Sequence, residues 1–452
     1  MDSSFRFHVK ILFVIMCGLS TGCMKRDGVR DNYEVILKIN GSSTIGTRLI
    51  PALAGLFLSE MGAKNINMIR DKSSSDNVVV GSFGKYSKAI SIRNNGSVMG
   101  MEDLDNGLCD LCMSFESGVD QNKSSGLQQK VIGYDAMVMI VNRDNPINAL
   151  DLNRLGDIFS GSVTSWSQLD VDDFSEITLY MSEHTKLEIE YFKDIFLLDR
   201  TLTSRFVYCK DDLEIASKVE HDKNGIGFVS MAFAGQNKVL VIKKGAEFFW
   251  RPEKFNISSM DYPFTRRLSL FCGQKSGDIA DKFLQTAFSW NGRNITEDAG
   301  FIVSVCYADS SELSSKWEDF ENEAGSSRRV SVSFRFVKES SELDSQSVFD
   351  LTRLSDFLDE RFSNVCSIIL MGFTDSTGSS EQNKEFSIKR AGTVADYLKE
   401  KAGFHVSGIY GFGELFPVAP NDTRWGRDRN RRVEVWLDCV SDTAFLNAGQ
   451  NP

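Results

Sequence analysis

The sequence predicts an α/β protein with more than one domain, and three observations carry that expectation. The chain has 452 residues, more than one ordinary hydrophobic core organises. Apolar runs that read as strands lead through turn residues into helical spacing of apolar side chains, at Glu34–Phe57 and again at Ser367–Leu398. Between these regions the stretch 309–329 is polar and charged, in the manner of a linker.

Composition narrows the function classes. Charged residues make up 25% and apolar residues 42%, the fractions of a globular protein. A net charge of -11 argues against a nucleic-acid partner. Four histidines (His8, His184, His221 and His405) form no His-Glu-x-x-His pattern, and no nucleophile elbow is present. Binding rather than catalysis is therefore expected, with neither a metal nor a cofactor.

At the N-terminus, Arg6 and Lys10 precede an apolar run, Ile11–Leu19, too short to span a bilayer comfortably. It ends in Leu19-Ser20-Thr21-Gly22-Cys23, which resembles a bacterial lipoprotein signal over residues 1–23 with Cys23 as the lipidated residue. Ser20 stands where leucine is usual, and ordinary secretory cleavage is the alternative. Met24 after the cysteine implies the outer membrane rather than the inner one. With Cys17 in the signal and Cys23 lipidated, seven cysteines remain, so at least one is unpaired within the chain. Cys109 and Cys112 read as small apolar residues of a buried strand, since extended residues three apart are too distant for a disulfide.

The first globular region is expected over residues 33–308. Glu34–Ile39 alternates as a strand, Asn40–Gly46 is a turn, and Leu49, Leu53, Leu56 and Phe57 share one helix face. Strand, Gly/Ser loop and helix N-terminus form a generic anion-binding arrangement. Further on, Asp144-Asn145-Pro146-Ile147, Phe159-Ser160-Gly161, Trp166, Gly225-Ile226-Gly227 and Tyr262-Pro263 follow in turn. Together with the Gly-Ser-Ser-Thr loop they resemble the phosphate-binding protein of bacterial ABC transporters, which implies two α/β lobes around a ligand cleft. The resemblance implies anion contacts from Ser43, Thr44 and the N–H of Ile45, and from Gly96 and Ser97 in a second loop. Two clamping elements of that pattern are missing. Phe115 follows Ser114 where aspartate or arginine is expected, and Ser182-Glu183-His184-Thr185 lacks the arginine and glycine of the fourth loop. Losing such donors weakens phosphate binding by orders of magnitude, at roughly 1.5–3 kcal/mol per charge-assisted hydrogen bond. Two readings stay open: a module with an altered anion site, or a working phosphate receptor.

The second region is expected over residues 330–440. Val330–Phe336 alternates as its first strand, Phe349, Leu351, Leu354, Phe357 and Leu358 mark a helix, and Ser367–Met371 reads as a buried strand closed by Gly372. Ile388, Ala391, Val394, Ala395 and Leu398 then follow at helical spacing. Asp375 sits in the loop between strand and helix; Asn383 and Arg390, about two turns apart, share a helix face. One acid and one base so placed could clamp a zwitterion. Gly372-Phe-Thr-Asp-Ser-Thr-Gly378, Asn383, Arg390-Ala391, Gly411-Phe-Gly-Glu414 and Asn430-Arg-Arg-Val-Glu434 resemble an OmpA-like domain. The resemblance implies non-covalent binding of peptidoglycan through the diaminopimelate of its stem peptide. Asp375 and Arg390 match the family's ligand-binding acid and base, with Thr374, Asn383 and Arg431 beside them. Phe373 stands where histidine is common and Phe386 where leucine is usual. The fold expected is thus a two-lobed periplasmic-binding-protein-like module followed by a small α/β domain, in the periplasm.

Overall fold

The computed structural model describes residues 33–70, 76–115, 126–171, 175–273, 277–309, 327–336, 340, 343, 347–361 and 366–439, without the side chains of 184, 187, 348 and 359–361. The expected signal 1–23, its Cys23, and most of the expected linker lie outside these residues. Among the described residues no helix is long and apolar enough to cross a membrane.

The first lobe contains β1 (Glu34–Gly41), α1 (Ser43–Glu60), β2 (Lys64–Arg70), β3 (Asn77–Phe83), β4 (Tyr86–Arg93), α2 (Ser97–Asp105) and β5 (Leu111–Ser114). The crossover strand β6 (Gln128–Val141) leads into the second lobe, with β7 (Ala149–Asp151), α3 (Leu152–Ser160), β8 (Thr178–Met181), α4 (Glu183–Phe196), β9 (Val207–Tyr208), α5 (Asp212–His221) and β10 (Gly225–Ser230). There follow β11 (Lys238–Val239), β12 (Val241–Lys244), β13 (Phe248–Trp250), α6 (Lys254–Ser258) and the returning strand β14 (Thr265–Cys272), then α7 (Asp278–Phe288), α8 (Trp290–Asp298) and β15 (Ile302–Val303). The C-terminal domain is β16 (Arg328–Arg335), α9 (Ser347–Arg361), β17 (Cys366–Gly372), α10 (Ser380–Ala402), β18 (Val406–Gly411), α11 (Arg424–Asn430) and β19 (Arg432–Cys439).

A twelve-stranded arrangement, β2-β3-β4-β1-β5-β14-β6-β10-β8-β9 with β11 and β15 also on β6, runs through both lobes. β6 joins them: its first part pairs with β14 and Met137–Val141 pairs with β10. Its residues from Val131 onward are all buried, as expected of a strand covered on both faces. One core gathers Leu37, Leu53, Ile90 and Phe283 in the first lobe, and another stacks Phe159, Phe192, Phe196, Phe228 and Phe264 edge to face in the second.

The C-terminal sheet has the order β16-β19-β17-β18 and a core of its own around Val332, Leu354, Leu370, Val394 and Val435. Its long helix α10 is bounded by local chemistry. Ser379 and Gln382 form a capping box at its start, and Gly403 ends it at φ 71°. A disulfide, Cys366–Cys439, ties the first residue of β17 to the last of β19. Cys109, Cys112, Cys209, Cys272 and Cys306 are buried thiols. Cys112 lies in β5 and Cys109 in the bend before it; burial pushes the Cys109 thiol up to about 12, which keeps it inert.

Several local readings change. α1 begins at Ser43, inside the stretch expected to be a turn through Gly46. A Cβ at Gly46 would meet Asn94 Oδ1 at 1.9 Å, so this glycine serves close packing rather than a bend. Leu56 is half-buried, and Leu58 is buried instead. Ile388 is 44% exposed, so the buried face of α10 runs through Asn383, Ser387, Arg390, Ala391, Val394 and Leu398. β16 starts at Arg328, two residues before the expected boundary. It pairs with the end of the first module through Ala308 and Val330.

Candidate functional site

The loop after β17 is positioned by main-chain contacts. Phe373 N donates to Arg432 O (2.8 Å) and Thr374 N to Gly413 O (2.7 Å). Gly372 lets this strand approach α10, since a Cβ there would sit 2.1 Å from Ser387 O. The loop thus presents Asp375 at a fixed height beside the helix. Asp375 is 9% exposed; its Oδ1 accepts from Thr377 N (2.9 Å) and its Oδ2 from Arg431 Nη1 (2.6 Å). Arg431 also pairs with Asp428 on α11. Burial pushes the Asp375 carboxyl up, but the hydrogen bonds from Arg431 and Thr377 outweigh it and hold the group below its ordinary value.

Arg390 is 1% exposed. Its guanidinium lies over two phenyl rings, Phe386 at 4.3 Å and Phe336 at 5.1 Å, and donates to Ser340 O at 3.2 and 3.3 Å. Among the described residues it has no carboxylate in contact. Burial and the neighbouring Arg431 push it down to about 10, against the opposing pull of Asp375. Asn383 and Thr374, 6% and 4% exposed, each keep one buried polar atom without a partner among the described residues, Nδ2 and Oγ1. The expected acid, base, Asn383, Thr374 and Arg431 are therefore gathered at one end of the C-terminal sheet. Sequence reasoning missed the aromatic support from Phe336. It recorded Phe386 only as an unusual residue, although an aromatic one turn before an arginine was the available signal. Phe373 is 1% exposed, stacked on Phe412 and covered by Arg432 at 3.9 Å, so it belongs to the packing.

The first module brings its expected residues together as two helix N-termini. Ser43, Thr44 and Ile45 open α1, Ser97 opens α2, and Gly96 N donates to Gly41 O at 2.9 Å, which joins the two loops. Gly96 has φ 89°, a conformation suited to glycine. Ser42 Oγ is buried without a partner among the described residues. Opposite, Ser182 Oγ accepts from Thr185 N (3.0 Å), so these hydroxyls cap α4 itself. Where the lobes meet lies a group that sequence reasoning did not find. Arg266, 1% exposed, donates to Asp135 Oδ2 through Nε (3.0 Å) and Nη2 (2.8 Å), and through Nη1 to Glu188. Its guanidinium covers the Phe115 ring at 3.5 Å. Ser230 Oγ donates to Asp135 Oδ1 at 2.9 Å. Arg48 reaches from α1 to Ala232 O (2.7 Å) and over Phe233, bridging the lobes.

Comparison with known proteins matches this architecture. Residues 76–290 match the PBP superfamily domain and residues 335–431 the OmpA family. The chain is 36% identical over 112 residues to outer membrane porin F of Pseudomonas aeruginosa, covering 24% of this chain and 31% of that protein. It is 44% identical over 70 residues to peptidoglycan-binding protein ArfA of Mycobacterium tuberculosis, covering 15% and 21%. Both relatives are thus matched over less than a third of their own length. An ABC-type phosphate transport receptor from Vibrio cholerae superposes with a TM-score of 0.46 at 16% identity, covering 59% of this chain and 99% of that one. The chain thus carries a periplasmic-binding-protein-like module followed by an OmpA-like domain.

Proposed function

We propose that this is a cell-envelope protein that binds peptidoglycan non-covalently through its C-terminal domain. The OmpA family match and the relatives named above support the reading. One observation carries it: Arg390 is a buried guanidinium held on aromatic faces with no carboxylate in contact among the described residues. A buried cation is normally paired. The carboxylate of a diaminopimelate residue completes Arg390 in a two-pronged contact. Its ammonium meets Asp375, whose two oxygens offer about four acceptor positions, not all of them taken by Thr377 and Arg431. Asn383 Nδ2 and Thr374 Oγ1 supply the remaining polar contacts. Retention on purified sacculi tests the reading. Asp375→Asn and Arg390→Ala should each lose most binding, by 2–5 kcal/mol for a truncated buried charge pair, or roughly thirtyfold and more. Full retention by both folded variants would end it.

The first module is a solute-binding domain whose anion site we propose to be altered. Ser43, Thr44, Ile45, Gly96 and Ser97 still offer two helix N-termini. Against them stands Arg266, already neutralised by Asp135 and Glu188. A phosphate receptor is the second reading, favoured by Ser42 Oγ, which stands just before α1 and is buried with no partner among the described residues. Phosphate binding to the full chain that Ser97→Asp abolishes would support it. We further place the protein at the outer membrane through a lipid on Cys23; a Cys23→Ser protein that stays in the membrane fraction would remove that anchor from the account.

A further inference from the structure

The C-terminal domain docks on the second lobe across a seam rich in guanidinium groups. Arg353, on α9, donates to Ser258 Oγ (2.6 Å) and Val305 O (3.1 Å) of the first module, and its guanidinium lies 4.9 Å from the centre of the Tyr134 ring. Tyr134 pairs in register with Arg267 on β14. Successive residues of a strand face opposite ways, so Arg267 points to the seam while Arg266 points to the lobe junction. Trp250 Nε1 donates to Val418 O at 3.1 Å, and the Trp250 ring meets Trp425 edge to face. Arg335 Nη1 donates to Arg429 O (2.9 Å), which brings β16 and α11 together at the same place.

The carboxylates at this seam are already engaged. Asp261 is shared by Arg329 (2.9 Å) and Arg335 (3.4 Å), Glu434 by Arg329 and Arg432, and Asp350 by Arg353. Arg267, only 8% exposed, and Arg429 have no ion pair among the described residues. Arg429 rests near the Trp425 ring (5.9 Å), and Trp425 Nε1 is itself buried with no acceptor among the described residues. Burial, with repulsion from Arg335 and Arg267 against the pull of Asp261, pushes the Arg429 guanidinium down to about 9. Donors without acceptors and cations without counter-ions share one seam in a chain whose net charge is -11. An aromatic face offsets only part of the cost of a buried charge.

We propose that this interdomain seam binds a small oxyanion of the phosphate or sulfate class, held by Arg267, Arg429 and the indole N–H of Trp425. Such a ligand has only acceptors and a compact charge, which suits guanidinium forks and an orphan N–H. It joins the second lobe to the wall-binding domain, so its presence strengthens their docking by mass action.

The test is thermal unfolding and calorimetry of the full chain with inorganic phosphate, against sodium chloride at equal ionic strength. Phosphate should raise the melting temperature beyond the chloride control. Arg429→Gln should weaken phosphate binding at least tenfold and raise the melting temperature in phosphate-free buffer, because it removes repulsion. Arg429→Lys, which keeps the charge but loses the fork, should lie between. No stabilisation beyond chloride overturns the proposal. So does binding that Arg429→Gln leaves intact and Ser97→Asp abolishes, since that places the anion at the helix N-termini of the first lobe.

Discussion

Arg266 and Arg390 are both 1% exposed and both lie over phenyl rings, yet their charges are handled in opposite ways. Arg266 has two carboxylates, Asp135 and Glu188, drawn from a strand and a helix of its own module. Arg390 has a carbonyl oxygen and two aromatic faces. Burial alone therefore does not mark a functional arginine. The internal counter-charge decides whether the guanidinium closes a structure or leaves electrostatic work for a ligand. The difference separates these two sites: Arg266 is closed by carboxylates where the lobes meet, and Arg390 has none in contact among the described residues.

Removing each cation should break the comparison most directly. Arg266→Ala leaves Asp135 and Glu188 buried without their partner, and burial already pushes the Asp135 carboxyl up. The expected loss of stability is about 3–5 kcal/mol, read as a fall in the denaturant midpoint of the first module. Arg390→Ala removes a charge that has no carboxylate in contact among the described residues and should leave the melting temperature near that of the parent while wall retention collapses. Equal destabilisation by the two changes would erase the distinction.

Protonation gives a second test, with a smaller effect. Asp375 lies below its ordinary value because of Arg431 and Thr377. Its contribution to stability is therefore present above the unfolded value, about 3.9, and fades as pH falls through the lower folded value. Wall binding that needs the ionised carboxylate should accordingly persist through pH 4. Arg431→Met takes away the strongest hydrogen bond and leaves burial to act. The acid limit of sacculus retention should then move upward. An unmoved limit would mean that Arg431 does not set the charge of Asp375.

How far the sequence shows these features follows from the range of the interactions behind them. β17 was legible because an apolar run closed by Gly372 depends on neighbours in the chain. The shared face of Asn383 and Arg390 was legible because helical spacing is local. The spacing that includes Ile388 shows the helix but not its buried side, and Ile388 is 44% exposed, since periodicity finds a stripe but not which edge of it the sheet covers. The Arg266 group was not legible at all. Its partners come from positions 131 and 78 residues away, and nothing local distinguishes Arg266 from Arg267 beside it. Asp375 and Arg431 are 56 residues apart; their association was approached only through a family pattern, and the direct ion pair was not foreseen.

The smallest expected effect bears on the aromatic support of Arg390. Phe386 precedes Arg390 by about one helical turn, and its ring centre is 4.3 Å from the guanidinium carbon. Phe386→Leu keeps an apolar residue of helical propensity but removes the face that carries negative potential. Cation–π contacts contribute about 0.5–1 kcal/mol at accessible sites and more when desolvated, so sacculus affinity should fall about two- to fivefold. Charge and fork remain, and the helix is capped independently at Ser379 and Gly403, so the fold should be unaffected. A second variant separates support from bulk: Phe386→Tyr retains the ring and should restore binding. If Phe386→Leu binds as tightly as the parent, the guanidinium is held by Ser340 O and Phe336 alone, and the resemblance in how Arg266 and Arg390 sit on aromatic faces has no part in wall recognition.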